Sequence, residues 1–342
     1  MGVKAAKPGK AEQGSPAAPT AEAAPASGTV PVTVHNFIRA ETDRYFSGMA
    51  KAGAFGKMTH RRAPASIDAQ DVVRMNRDTL YSSGVFDLEA APVTISLPDP
   101  GKRFMSLLVL SQDHYVVDTV YGPGRFTFDR DKVGTRYMAL LVRTFADAGS
   151  AADIAAANRL QDAIQVEQGA VGSFEVPQWD AASLSKARDA LSALGSLGGV
   201  VDRFGTEDEV DPFEHLIGTA IGWGGNPRRD ADYQSLAPPR NDGKTVYRLT
   251  LKDVPVDAFW SISVYNAKGY FEKNELNAYS LNNVTAKPNP DGSFTIQFGG
   301  CGTGVQNCLA ITPGWNCTVR LYRPRKEILD GTWKLPQLQP VG

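Results

Sequence analysis

The sequence predicts a mainly β, β-rich α+β protein: two β-sandwich or jelly-roll-like domains with a helical segment between them. Three observations predict it. Apolar and polar residues alternate in short runs bounded by turn residues, as in Val93-Thr94-Ile95-Ser96-Leu97 before Pro98-Asp99-Pro100-Gly101. Glycine (33) and proline (22) are abundant, which suits many turns. Helical spacing set among alanines is concentrated between two such β regions.

Taken in order, residues 1–30 are almost all Ala, Pro, Gly, Ser, Thr, Glu and Lys. So little apolar bulk cannot offset ordering entropy, and the stretch reads as a disordered leader or linker. It has no apolar centre of a signal peptide, and Ala6 stands where a myristoylation site needs Ser or Thr. From Thr33, the residues Phe37, Ile38, Tyr45, Phe46 and Met49 fall at i, i+3, i+4 spacing, with a hydroxyl N-cap and a stop at Gly53. Strands follow at Leu80–Leu88, Val93–Leu97, Arg103–Leu110 (apolar enough to be covered on both faces) and Thr135–Phe145.

Around residue 150 the pattern changes. Ile154, Leu160, Ile164 and Val166 read as one helix and Ser183–Leu194 as a second, ending near Gly195-Gly198-Gly199. Asp211-Pro212 opens a third, an N-cap followed by proline at the first helical position. Strands resume at Val246–Leu251, Phe259–Tyr265, Ser293–Phe298 (after the turn Asn289-Pro290-Asp291-Gly292) and Val319–Tyr322. The expected domains are 31–150, a helical connection over 151–221, and 222–342. A weak internal echo pairs Phe104-Met105-Ser106-Leu107 with Trp260-Ser261-Ile262-Ser263, although the spacings around them differ.

Composition excludes several functions. A net charge of −1 with no basic block gives no footprint for nucleic acid. No run approaches the ~18 apolar residues of a membrane span. Phosphate-loop, dinucleotide, Gly-x-Ser-x-Gly and His-Glu-x-x-His motifs are absent. The four histidines are scattered, so neither a metal nor a cofactor is expected. Of the three cysteines, Cys301 and Cys308 bracket Gly302-Thr303-Gly304, a length that a disulfide closes, whereas zinc has no CxxC pair to support it. Cys317 alternates with Trp315 and Val319 as a buried thiol would.

The densest chemistry lies in Arg74-Met75-Asn76-Arg77-Asp78-Thr79-Leu80-Tyr81. As a strand edge it would place Arg74, Asn76 and Asp78 on one face and Arg77, Thr79 and Tyr81 on the other. That face meets either a pocket for an anionic ligand or a buried polar network pinned by an Arg–Asp pair, and the network is the narrower expectation. Ligand-binding candidates are therefore Arg74, Asn76, Arg77, Asp78 and Tyr81, with Trp223 and Tyr265. For catalysis the candidates are His114 as general base, with Tyr115 or Tyr81 as proton donor, and Asp78.

The run Asn76–Tyr81, the strand Arg103-Phe104-Met105-Ser106 and Tyr121-Gly122 resemble the domain of unknown function numbered 1254. Phe259–Tyr265, Asn274, Tyr279-Ser280, Asp291-Gly292-Ser293, Arg320–Pro324 and Asp330–Trp333 resemble its C-terminal companion, numbered 1214. Together the resemblance covers about residues 32–340. It implies a bacterial, often exported protein of two β domains, and carries over no catalytic residue. Export would make the leader a post-cleavage linker, place the protein in the periplasm or outside the cell, and favour a Cys301–Cys308 disulfide. Asn307-Cys308-Leu309 stands where the family has an Asn-Trp-Leu-Pro-like run.

Three functions compete: an exported protein binding a small polar or anionic ligand (carbohydrate or carboxylate), a cofactor-independent lyase or hydrolase using His114, and an envelope interaction module. A homo-oligomer is compatible with the exposed edges of β domains.

Overall fold

The computed structural model describes residues 28–70, 73–197 and 202–341. The expected leader lies outside them except for its last three residues, as do Asp71 and Gly198-Gly199. The N-terminal half runs α1 (Phe37–Lys51), β1 (Thr59–His60), β2 (Thr79–Asp87), β3 (Val93–Leu97), β4 (Met105–Ser111), β5 (Val116–Tyr121), β6 (Gly124–Phe128), α2 (Arg130–Val133) and β7 (Tyr137–Phe145). Then come α3 (Ala151–Asp162), β8 (Gln165–Gln168), α4 (Ala181–Gly195) and α5 (Pro212–Gly222). The C-terminal half runs β9 (Ala231–Leu236), β10 (Tyr247–Leu251), β11 (Trp260–Tyr265), β12 (Ser280–Asn282), β13 (Phe294–Phe298), β14 (Cys308–Leu309), β15 (Asn316–Tyr322), α6 (Lys326–Leu329) and β16 (Gln339–Pro340).

The first half has three layers. A sheet ordered β1-β2-β7-β4-β5 faces a smaller one, β6-β3-β8. Phe86, Leu107, Leu140 and Val142 from the first pack on Val93, Ile95 and Phe128 from the second. The other side of the large sheet presents Val85, Leu108 and Ala139 to Phe46 of α1. Coverage on both sides explains why every residue of β4 is buried, as its apolar run predicts. Helices α1, α4 and α5 share their own apolar seam of Phe37, Ala40, Leu184 and Leu191, with Leu216 and Ile217 packed against it.

Two expectations are corrected here. Helix α1 begins at Phe37 instead of at Thr33, because the Asn36 side chain accepts from the Thr33 amide at 2.7 Å and closes a turn first. Val166 belongs to β8 and not to a helix: it pairs with Ile95, so the segment after residue 150 completes a sheet of the first half. Helix α1 also buries Glu41, which is held by Arg44 at 2.8 Å and Arg188 at 2.5 Å. The predicted cap of α5 is present, with Asp211 accepting from the amides of Phe213 and Glu214 ahead of Pro212.

In the second half, β14-β13-β10-β16 faces β12-β11-β15-β9. The core between them joins Leu249, Ile296 and Phe298 to Trp260, Ile262, Val319 and Leu321. Cys301 and Cys308 form a disulfide with Cα atoms 5.6 Å apart. Cys317 lies in the core, and burial pushes its thiol up to about 12. The alternate residues of β11, Ser261, Ser263 and Tyr265, are equally buried, although they point away from this core. The N-terminal half covers that polar face, and the contact between the halves is where the conspicuous residues meet.

Candidate functional site

Both halves present the same local plan to each other. In β7, Arg143 lies between Tyr81 of β2 and Ser106 of β4. In β15, Arg320 lies between Tyr233 of β9 and Ser261 of β11. The chain enters β2 through Arg77-Asp78-Thr79-Leu80-Tyr81 and β9 through Arg229-Asp230-Ala231-Asp232-Tyr233, an Arg-Asp-x-x-Tyr repeat. The neighbouring strands β4 and β11 are each preceded by a phenylalanine whose carbonyl accepts from the residue two past the arginine: Phe104 from Phe145 and Phe259 from Tyr322, both at 2.9 Å.

These parts meet reciprocally, as across an approximate two-fold axis. Phe104 packs on Tyr322 (centroids 5.4 Å apart), Phe259 packs on Phe145 (5.0 Å), and Phe104 meets Phe259 (5.3 Å). Arg320 reaches across to the loop before β2, donating to the Arg74 carbonyl at 2.8 Å, and also to Ser263 Oγ (2.9 Å) and the Tyr265 hydroxyl (2.8 Å). Tyr265 in turn donates to the Met75 carbonyl at 2.8 Å. Arg143 grips the loop before β9, donating to Gly224 O at 2.6 Å and Asn226 Oδ1 at 2.9 Å. Asp78 accepts from Ser261 Oγ at 2.6 Å, and Asp230 accepts from the Tyr121 hydroxyl at 2.9 Å.

One carboxylate oxygen of each aspartate, Asp78 Oδ1 and Asp230 Oδ2, is buried without a hydrogen bond among the described residues. Burial raises the Asp78 pKa, against the opposing pull of Arg320, Ser261 and Asn282. The Asn282 amide is thus close enough to favour the charged form but outside hydrogen-bond geometry. Burial also opposes ionisation of Arg143, but the hydroxyls of Tyr81 and Tyr233 outweigh it and its pKa is raised. Neither Arg143 nor Arg320 makes an ion pair within 4 Å among the described residues.

Beside this network one ring stays open to solvent. Tyr233 is 42% accessible, yet burial is the largest influence on its hydroxyl and raises its pKa. Its hydroxyl receives the Asn226 amide at 3.3 Å, and Asn226 bridges it to Arg143. Arg143 lies 5.6 Å from the centre of the Tyr81 ring. A guanidinium, two tyrosines and an amide therefore meet at the exposed Tyr233 ring.

The structure distributes the sequence candidates unevenly. The alternation expected over Arg74–Tyr81 does not apply before Thr79, where β2 begins. Arg74 is left-handed (φ 52°), and the Asn76 side chain accepts from the Asp78 amide at 2.8 Å, so the segment is a turn. Arg74 reaches Asn316 at the rim, and Arg77 donates to the Ala65 carbonyl beneath Tyr279, so neither shares a face with Asp78. Asn76 donates to the Tyr322 hydroxyl at 2.8 Å and joins the network with Asp78, Tyr81 and Tyr265.

Trp223 lies elsewhere, stacked on Tyr45 at 4.2 Å and donating to Thr42. His114 is buried beside it. Its Nε2 accepts from the Gly224 amide and its Nδ1 meets Thr219 Oγ, both at 2.8 Å, while Thr219 donates to the His215 carbonyl. Those partners assign the proton to Nδ1 and leave no ring nitrogen for a ligand. Burial first, and then the neighbouring His215, lower its pKa to about 3. Tyr115 stacks on His215 at 4.2 Å. Sequence reading missed Arg143, Arg320, Tyr233, Tyr322 and Asn226. The signal that finds them is the repeated Arg-Asp-x-x-Tyr, read together with an arginine two residues before an aromatic at the end of a strand.

Among the described residues, no group of three or more His, Cys, Asp or Glu is placed to hold a metal, and no helix is long and apolar enough to cross a membrane. The profile of DUF1254, a protein of unknown function, matches residues 55–131, and that of DUF1214, likewise of unknown function, matches residues 230–326. No curated protein matches the chain. Among solved structures, the VPA0106 protein of Vibrio parahaemolyticus is similar with a TM-score of 0.69 at 19% identity, covering 90% of this chain and 98% of its own. An uncharacterised protein from Burkholderia cenocepacia is similar at 0.52 and 13% identity, covering 90% and 88%. Both likenesses concern the fold alone.

Proposed function

For this chain, which joins a DUF1254 region to a DUF1214 region, we propose that a recess beside Tyr233, between its two halves, binds a small carboxylate. One observation carries the reading. Arg143 is 6% exposed, and its hydrogen bonds among the described residues go to the neutral oxygens of Asn226 and Gly224, beside the neutral Tyr81 hydroxyl. A buried cation without a counter-charge is costly, and a planar guanidinium matches a carboxylate with two parallel bonds. The hydroxyls of Tyr81 and Tyr233 are the further donors such a ligand needs. The positive charge favours a carboxylate over a neutral carbohydrate.

Catalysis through His114 has less support, since both of its ring nitrogens are engaged inside the fold. An interaction module is served by the same network without any ligand, and the test separates the two. The Cys301–Cys308 disulfide supports an oxidising compartment, periplasmic or extracellular.

The test is calorimetric titration and thermal shift with acetate, succinate, phosphate and glucose on the wild type, Arg143→Gln and Tyr233→Phe. A carboxylate at ~100 times its Kd should stabilise the wild type by about 2.7 kcal/mol. Arg143→Gln should abolish this, and Tyr233→Phe, whose ring is already accessible and keeps its packing, should weaken it about tenfold. If no carboxylate shifts the wild type, or if Tyr233→Phe binds unchanged, the interaction-module reading replaces this one.

A further inference from the structure

An opening lies between the halves beside Phe104 and Phe259. It is a cleft of about 650 Å³, lined from the first half by Lys102, Arg103, Phe104 and Tyr121 and from the second by Phe259 and Arg323. That volume falls within the range of small-molecule sites. None of the sequence candidates lines it, and the carboxylate reading above does not use it.

Its charges do not cancel. The cleft contains two carboxylates, and both are already engaged. Asp153 is held by two bonds from Arg103, at 2.8 and 2.5 Å, and Asp257 is paired with Arg325 at 2.6 Å. Lys102 and Arg323 make no ion pair among the described residues. Arg323 sits at φ 52°, a conformation that L side chains rarely adopt, and its guanidinium lies 4.7 Å from the centre of the Tyr121 ring. A residue held in that region over an aromatic face, at the mouth of a cavity, is placed for a ligand. Between the two cations the walls are aromatic: Phe104 meets Phe259 edge-on at 5.3 Å and Tyr121 at 6.0 Å. Such walls prefer a flat ring that completes offset or edge-to-face contacts.

We propose that this cleft is a separate binding site for an aromatic carboxylate, with the ring against Phe104 and Phe259 and the anion on Lys102 and Arg323. Both cations are exposed, so their replacement leaves the packing of the halves intact.

The probe is 2-naphthoate, followed by ligand-observed saturation-transfer NMR and titration, with neutral 2-naphthol as the control. Naphthoate should bind the wild type at least tenfold more tightly than naphthol, and the double variant Lys102→Gln/Arg323→Gln should erase that preference. Tyr233→Phe should leave naphthoate binding within twofold of wild type. The proposal falls if naphthoate shows no transfer at millimolar concentration, if naphthol binds equally well, or if the double variant binds naphthoate like the wild type. Should Tyr233→Phe weaken naphthoate while the double variant does not, the ligand occupies the recess: this proposal fails and the first stands. Failure of acetate and succinate in the recess leaves the naphthoate result unaffected.

Discussion

Replacing Arg320 with methionine removes the cation through which the second half holds the first. Three of its bonds are short, to Ser263 Oγ, the Arg74 carbonyl and the Tyr265 hydroxyl, and a fourth reaches Met75 O at 3.4 Å. At roughly 1.5 kcal/mol for each short bond to a charged donor, the loss is about 4.5 kcal/mol. Methionine fills much of the same volume and recovers about 1 kcal/mol of apolar burial, leaving a net cost of about 3–4 kcal/mol. Urea unfolding at neutral pH, followed by tryptophan fluorescence and far-ultraviolet circular dichroism, measures it. Because two of the acceptors belong to the loop before β2, the variant should also uncouple the halves, splitting one transition into two. Asp78 loses the cation that does most to lower its pKa, and the carboxyl pKa rises further. A raised carboxyl pKa means that the folded state holds the proton more tightly than the unfolded chain does. The stability Asp78 contributes is therefore fully present below the ordinary carboxylate value and is lost as pH rises through the raised one. The variant should steepen that decline. Arg320→Lys should recover less than half of the loss, since a point ammonium cannot reach the same acceptors. A cost below about 1 kcal/mol, with a single transition and an unchanged pH slope, would refute the reasoning.

Two further outcomes follow from buried groups. His114 titrates at about 3 in the folded protein against 6.5 ordinarily, so below pH ~6.5 the unfolded chain takes up a proton that the folded one refuses. Stability should fall by about 2 kcal/mol between pH 7 and pH 5 on this account, and denaturation of His114→Gln across that range should show a flatter profile. Opening the Cys301–Cys308 loop, seven residues in separation, should cost about 2.5 kcal/mol on the chain-entropy account. A Cys301→Ser/Cys308→Ser variant melting within a degree of the wild type would show that the disulfide adds nothing.

Most of the fold was legible because it rests on local pattern. The alternation of Val93–Leu97, the apolar run of β4 and the Asp211-Pro212 cap all report on residues a few positions apart, and each stands where the pattern puts it. Val166 misled because its alanine-rich neighbours share helical spacing, while its strand partner Ile95 lies far away in sequence. The site was only half legible. Asn76, Asp78 and Tyr81 are conspicuous because they crowd together, but their partners Arg320, Ser261 and Tyr322 come from the other half. The turn at Arg74–Asp78 breaks the alternation through a side-chain bond from Asn76 that no periodicity encodes. The echo between Phe104-Met105-Ser106 and Trp260-Ser261-Ile262 was visible one residue out of phase: Phe104 answers to Phe259, and Ser106 to Ser261. Correcting the phase makes the arginine on each neighbouring strand stand out.

The crossed grip of Arg143 and Arg320 has a mechanical consequence. Two attachments placed apart resist torque as well as separation, so the halves are keyed against twisting by very few bonds. The surfaces they key together include Ser261, Ser263 and Thr318, side chains that water wets readily. Parting such a joint wets those polar side chains but also bares the rings of Phe104, Phe145, Phe259 and Tyr322, which draw the halves together again while each half keeps its own core. Hinged excursions of the two halves are then cheaper than the melting of either one. A molecule entering the recess from solvent needs only that hinge to yield.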